Sequence, residues 1–225
     1  MSASNNLADL LSAYWLNLQA RRSGIAAEYE TIIGRLEGAD AGRTAPQVGA
    51  ELPAFQLPDH RNRLVSSADC RKRGPLVVSL NRGHWCGFCR RELKALQDIV
   101  DEVESLGASV VAITPDRQKF AKRIKQEFGL TFPVLCDIDN GYALSLGLAI
   151  WCGQNLKPIY AEFDIDLEVY HGNPGWILPI PATYVVDQNG VIAGRFVDAD
   201  FRRRMEPAEI LELLRSLQAN SADAS

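Results

Sequence analysis

The tightest constraint on the fold is the run Leu76-Val77-Val78-Ser79-Leu80, which stops at Asn81-Arg82-Gly83 and leads into Cys86-Gly87-Phe88-Cys89. A short apolar run bounded by turn residues reads as a strand buried on both faces. Behind the cysteines, Leu93, Leu96, Ile99, Val100 and Val103 fall on one helical face, and Gly107 supplies a stop. This predicts a helix over 86–106. The alternation continues with a strand over 109–113. Thr114-Pro115-Asp116 then opens a helix reaching Phe128, with proline in its first turn. A third strand is expected over 132–135. Residues 182–186 and 191–196 read as a hairpin around Asp187-Gln188-Asn189-Gly190, whose Asn-Gly step supplies the positive φ of the turn. A last helix over 207–217 turns Ile210, Leu211 and Leu214 inward. Strands alternating with helices, closed by a hairpin and a helix, predict an α/β/α sandwich with right-handed parallel crossovers.

Residues 4–45 have a different texture. Leu7, Leu10, Leu11, Trp15 and Leu18, then Ile25, Tyr29, Ile32, Ile33 and Leu36, recur at helical spacing. Two helices are expected, capped by Asn5 or Asn6, broken at Ser23-Gly24 and ended by Gly38 and Gly42. They pack on the following domain or serve as a homodimerisation arm, for which Tyr14 and Trp15 would make anchors. The stretch 151–179 holds Gly153, Pro158, Gly172, Pro174, Gly175 and Pro179 among aromatics. It reads as an insertion near the site with a short helix around 160–166. The organisation expected is therefore a helical extension over 1–45, a domain over 46–217 with that insertion, and a flexible tail over 218–225.

Composition narrows the function classes. The chain has 225 residues, is 47% hydrophobic and 23% charged, and carries a net charge of −4. Those values suit a globular protein and give no global excess of positive charge for nucleic acid or an anionic membrane. No apolar run approaches a membrane span, and no secretory leader is evident, so the cytoplasm is the expected location. Five cysteines, Cys70, Cys86, Cys89, Cys136 and Cys152, are too few and too scattered for a secreted disulfide framework.

The chemistry rests on Cys86 and Cys89. A helix N-terminus presents unpaired N–H groups and partial positive charge, which stabilise a thiolate. Arg82, Arg90, Arg91 and Lys94 surround the pair against Glu92, and His84 and Trp85 immediately precede it. A zinc site would use the same spacing but needs two further ligands, and no second closely spaced pair exists. Cys70, Cys136 and Cys152 read as packing residues, with Cys152 kept as a further resolving thiol. His60 and His171 read as exposed loop residues. Pro181 immediately precedes a strand, an unusual place for proline unless it takes the first position.

Four segments carry a family resemblance: Val48 to Leu57, Arg82 to Leu93, Ile113-Thr114-Pro115-Asp116, and Ile180 to Asp187. Together they resemble the peroxiredoxin-like, alkyl hydroperoxide reductase/thiol-specific antioxidant branch of the thioredoxin-fold superfamily. The resemblance implies a thioredoxin-like α/β/α sandwich with a central mixed sheet. Setting the family's peroxidatic cysteine on Cys89 puts Cys86 where the family has a hydroxyl and Arg82 where it has proline, while Glu92 matches the acidic residue. The family's arginine before the late strand is replaced by Pro181, so Arg82 is left to stand in for its charge. Conversely, Trp85-Cys86-Gly87-Phe88-Cys89 with Pro181 resembles thioredoxin, where such a proline is often cis beside the disulfide.

The resemblance implies a thiol-dependent peroxidase. It would reduce hydrogen peroxide or organic hydroperoxides through a sulfenic acid and a Cys86–Cys89 disulfide. A thioredoxin- or glutathione-type reductant would recycle it, with no bound cofactor or metal. The second reading is a thiol–disulfide oxidoreductase using the same pair on protein disulfides, and the third a redox-sensing scaffold. Which cysteine attacks is left open.

Overall fold

The computed structural model describes residues 6–223. Two helices, α1 (Leu7–Arg21) and α2 (Ser23–Gly38), come first. They are followed by β1 (Gln56–Pro58), β2 (Leu64–Ser66), α3 (Ser67–Arg71), β3 (Leu76–Leu80), α4 (Gly87–Asp98), α5 (Val100–Ser105), β4 (Ser109–Thr114), α6 (Gln118–Phe128) and β5 (Val134–Cys136). After a short 3-10 turn come α7 (Gly141–Ser145), β6 (Ala149–Trp151), α8 (Leu156–Ala161), α9 (Leu167–His171), β7 (Ile177–Pro179), β8 (Ala182–Val186), β9 (Ile192–Val197) and α10 (Pro207–Asp223).

The central sheet has the order β5-β4-β3-β8-β9, with β3, β4 and β5 parallel and β8 and β9 antiparallel. Alternation along the strands sorts the side chains onto two faces. Val77, Val110, Ala112 and Val185 pack with Leu93, Leu96, Val100 and Val103 of α4 and α5, and with Ile210 and Leu214 of α10. Leu76, Val78, Leu80, Val111, Ile113 and Tyr184 face the other way, onto Phe55, Tyr142, Leu146 and Leu148. The result is the expected thioredoxin-like α/β/α sandwich with helices added at its N-terminus. Ser79 interrupts the apolar face of β3, and its neighbour across the ladder is Thr183. Both hydroxyls donate to the Glu92 carboxylate beneath them.

Several expectations need correction. The helix predicted over 86–106 is two helices, because Ile99 leaves helical geometry at φ −107°, ψ 2°. Cys86 is the extended residue capping α4. Pro115 and Asp116 precede α6, which starts at Gln118, since Asp116 is held back by accepting the His84 N–H. The break between α1 and α2 falls at Arg22, and Ser23-Gly24 belong to α2. Asn6 caps α1 by accepting the Asp9 N–H, whereas Asn5 lies outside the described residues. Leu10 is 41% exposed, off the buried stripe of Leu7, Leu11 and Leu18. In the β8–β9 turn Gly190 alone has positive φ, at 101°. Helix α10 continues to Asp223, because the small residues after Leu217 are compatible with helix, and 224–225 lie outside the described residues.

The stretch 151–179 is closed at its base by β6 pairing with β7. Its helices, α8 and α9, flank the turn where a single helix over 160–166 was expected. Short three-residue strands such as β1, β2, β6 and β7 leave no periodic signal, which is why the sequence does not announce them.

Candidate active site

The pair Cys86 and Cys89 lies where β3 hands over to α4. The chain leaves the sheet at Asn81, whose N–H bonds the Ile113 carbonyl, and turns through Gly83. Both cysteines are unpaired thiols, 2% and 0% exposed. They lie in a cluster built from three parts of the chain: Leu11 and Leu18 of α1 with Tyr29 and Ile33 of α2, Tyr160 and Trp176 from the stretch 151–179, and Phe201 after β9.

Helix α1 covers the head of α4. The Tyr14 ring meets Phe88 edge-on at 4.8 Å between centroids, and the Arg91 guanidinium lies 3.9 Å over the same ring. Gly87 is required here, because a Cβ at that position would run into Tyr14. Trp15 lies 4.3 Å beneath the Arg202 guanidinium. The two aromatics expected to anchor a second copy are thus packed within the chain.

Two donors converge on the Cys89 sulfur. The Arg82 backbone N–H reaches it at 3.3 Å and Arg204 Nη2 at 3.4 Å. Arg204 is 6% exposed and holds Glu92 Oε2 through Nε at 2.6 Å. Its Nη1 donates to the Phe201 and Arg203 carbonyls. The carboxylate and the two carbonyls together fix the guanidinium beside the Cys89 sulfur. Sequence reasoning missed Arg204. The run Arg202-Arg203-Arg204 was the signal available, and nothing in it marks which arginine turns inward.

Arg82 is 1% exposed. Its guanidinium lies 3.8 Å over Phe201, 5.2 Å from the Trp85 ring and 5.5 Å from Tyr29. None of its side-chain nitrogens has a well-formed acceptor, although it lies close enough to the Cys152 thiol to favour that thiolate against burial. Burial pushes both cysteines of the pair upward, but for Cys86 it is outweighed by the hydrogen bond from Cys89 and the charges of Arg82 and Arg204, so its pKa falls to about 6. Cys89 is pushed up by burial and by its neighbour. The pair therefore holds one proton near neutrality, with Cys86 the more acidic sulfur.

The other sequence-derived candidates divide. Trp85 packs on Tyr160 at 5.3 Å and belongs to the site. His84 turns away from the sulfurs. Its N–H is held by Asp116 at 2.6 Å, and its ring bonds Glu127 at 3.0 Å between Phe120 and Tyr170. Pro181 is buried at the start of β8 and its peptide is trans, since no cis bond occurs among the described residues. His171 is buried, not exposed, and burial together with Arg82 lowers its pKa to about 4; His60 is half-buried. Asp116, absent from the candidates, is fully buried, and burial raises its pKa to about 7.

The loop that supplies Arg204 also holds the cover. Glu206 accepts the Leu7 and Ala8 N–H groups at the start of α1, and Arg202 bonds Glu30 of α2 at 2.6 Å. A cavity of about 630 Å3 lies between this loop and α1, bounded by Leu11, Trp15, Phe196 and Arg204. Among the described residues no group of three His, Cys, Asp or Glu side chains is placed to hold a metal ion, and no helix is long and apolar enough to cross a membrane.

A buried strand feeding a helix capped by one thiol, with a second thiol one turn on, is an arrangement for thiol redox chemistry. The AhpC/TSA family profile matches residues 48–195 of this chain. The chain belongs to the AhpC/TSA family. It is similar to the thiol-disulfide oxidoreductase ResA of Geobacillus thermodenitrificans, with 25% identity over 170 residues covering 73% of this chain and 79% of the relative. A Mycobacterium tuberculosis protein provisionally named a peroxiredoxin is 29% identical over 144 residues, covering 64% and 80% of the two chains. In fold it resembles peroxidoxin BcpB from Mycobacterium tuberculosis, with a TM-score of 0.59, 18% identity, and coverage of 76% of this chain and 97% of that one. The AhpC/TSA chain is thus an oxidoreductase working through thiols. The family match stops before Arg204 and begins after α1 and α2, so the cover and its latch lie outside it.

Proposed function

We propose that this AhpC/TSA protein is a thiol-dependent peroxidase that reduces hydrogen peroxide or a small organic hydroperoxide. The observation carrying this reading is the burial of both sulfurs beneath α1, at 2% and 0% exposure. A peroxide needs only a small opening to reach Cys86, whereas a folded protein disulfide needs the whole cover displaced. Cys86, the more acidic sulfur, attacks the O–O bond as thiolate and becomes a sulfenic acid, and the departing hydroxide or alkoxide takes up a proton. The Cys89 thiol then condenses with that sulfenic acid, forming the Cys86–Cys89 disulfide and releasing water. An external dithiol reductant of thioredoxin or glutathione type returns the pair to two thiols by exchange. Arg204 and the Arg82 N–H, aimed at Cys89, keep its sulfur oriented during the condensation.

The test is dimedone trapping after peroxide treatment of single variants. Cys89→Ser is expected to yield a trapped sulfenic acid on Cys86, and Cys86→Ser none on Cys89. Absence of trapping in both variants overturns the peroxidase. The thiol–disulfide exchange reading is favoured by the similarity to ResA and by the acidity of Cys86. Insulin-disulfide reduction abolished by Cys86→Ser, with peroxide reacting no faster than with free cysteine, would establish it instead.

A further inference from the structure

A Cys86–Cys89 disulfide is reduced by a thiolate that has to touch one of its sulfurs, and both sulfurs lie beneath α1 at 2% and 0% exposure. Peroxide needs only a small opening; a reductant has to move the cover. Beside the cover is a groove of about 350 Å3. Its apolar lining is Leu10 of α1, Ala95 of α4 and Phe128 of α6, and its charged lining is Arg90, Arg91, Lys94 and Asp98 of α4. Leu10, 41% exposed, belongs to this groove and not to the buried stripe of its helix. Arg90 is shared with a neighbouring hollow that holds Arg123 and the His84–Glu127 pair. The chain as a whole carries a net charge of −4, yet here cations are in excess. Asp98 is paired with Lys94 and Glu127 with Arg90, which leaves Arg91 and Arg123 without a carboxylate among the described residues. Arg91 ties the groove to the thiols. Its Nη1 donates at 2.9 Å to the carbonyl of Gly87, the residue after Cys86, and its guanidinium lies 3.9 Å over the Tyr14 ring that seats α1 on α4. A carboxylate from outside would compete with that ring for the same guanidinium.

We propose that this groove is the docking site of the reductant, an acidic protein carrying a dithiol, and that a carboxylate of that protein draws Arg91 off Tyr14 and loosens α1 over the sulfurs. The inference rests on the reading that a Cys86–Cys89 disulfide forms and is recycled by an external dithiol. Apolar and cationic lining together match a protein surface with an apolar centre and an acidic rim. With α1 loosened, a thiolate of the partner attacks one sulfur, breaking the internal S–S bond and forming a mixed disulfide. The partner's second thiol then breaks the mixed disulfide. The partner leaves as a disulfide, and its two electrons and two protons have passed to the pair, which is again two thiols.

The experiment mixes the oxidised full chain with a reduced thioredoxin of net negative charge, and alkylation with mass spectrometry follows loss of the Cys86–Cys89 disulfide. Lys94→Glu reverses an exposed charge of the groove and is expected to slow the reaction about tenfold at low salt, with the difference closing as salt is added. Arg215→Glu reverses an exposed, similarly paired charge on α10 and is expected to change the rate less than about twofold. Uncharged dithiothreitol is expected to reduce all three proteins alike. Equal rates with thioredoxin for Lys94→Glu and Arg215→Glu overturn the proposal and leave the redox function standing. So does a wild-type disulfide that dithiothreitol reduces and thioredoxin does not. A charge effect seen with glutathione and absent with thioredoxin also overturns it, and assigns the groove to a small anionic thiol. A wild-type pair that forms no disulfide under peroxide removes the peroxidase reading and the inference with it. The loosening of α1 has its own readout in the reduced protein. A thioredoxin with both active cysteines replaced by serine is expected to speed alkylation of Cys86 several-fold in wild type and not in Lys94→Glu. No acceleration in wild type overturns the opening of the cover.

Discussion

Arg204 joins the acid–base and the packing chemistry of the site in one side chain. It neutralises Glu92, which also receives the Ser79 and Thr183 hydroxyls, and it points an N–H at Cys89. Replacing it with methionine leaves a carboxylate buried at 2% exposure without its cation. The expected cost is about 3–5 kcal/mol, read by urea denaturation. Arg204→Met combined with Glu92→Leu is expected to cost less than Arg204→Met alone, because the stranded charge is gone. Asp116 gives a pH signature. Burial raises its folded-state pKa to about 7, above the ordinary aspartate value, so the folded chain binds more protons than the unfolded one between those two values. The contribution is fully present below the ordinary value and is lost as pH rises through about 7. Stability should therefore fall across pH 4–7 with a slope of up to ~1.4 kcal/mol per pH unit from this group. Asp116→Asn, which keeps an acceptor for the His84 N–H, is expected to remove that slope in pH-dependent denaturation curves.

Helix α1 is held by a steric fit at its middle and a charged latch at its start. Between Phe88 and Arg91, which pack on its ring, Tyr14 comes down on the bare backbone of residue 87, where a Cβ would overlap it. Gly87→Ala is expected to lift α1 from α4 and raise the rate of Cys86 alkylation by a thiol reagent. Adding Tyr14→Ala, which removes the clash but also the cover, should leave the rate high. At the start of α1, Glu206 satisfies two N–H groups that the helix cannot bond itself. Glu206→Gln keeps one acceptor and loses the charge at the positive end of the helix, for an expected cost of about 0.5–1 kcal/mol. Hydrogen exchange confined to the first turn of α1 is the measurement. The amphipathic pattern of α10 was legible because it is repeated within one element, whereas the stripe from Leu93 to Val103 runs on across the break at Ile99 and hid it. Leu10 was misread because it continues the spacing of Leu7 and Leu11, yet it is 41% exposed while Leu7 and Leu11 are buried.

For the chain as a whole, cover, latch and thiols form one unit. The loop from Asp198 to Glu206 touches Cys89 through Arg204, α2 through Arg202 and α1 through Glu206. Native Cys86 is accordingly expected to react with a bulky disulfide reagent more slowly than a free cysteine, despite its acidity, and to accelerate in urea well below the unfolding midpoint. Reaction at a free-thiol rate without denaturant would show that the cover does not limit access. The order of the five central strands with α4, α6 and α10 between and after them, the buried run of β3 and the thiol pair at the head of α4 were readable from 225 residues in a row. Such features depend on neighbours a few positions apart, and local periodicity and turn chemistry are sufficient to specify them. The approach of Arg204 to Cys89, separated by 115 positions, has no local signature. Nor has the choice of Arg82 over its neighbours for burial, or the seating of Tyr14 on Gly87. These contacts follow from how the sheet, the N-terminal helices and the loop after β9 pack against one another, and a small rotation of any one element would have put a different side chain against the sulfurs.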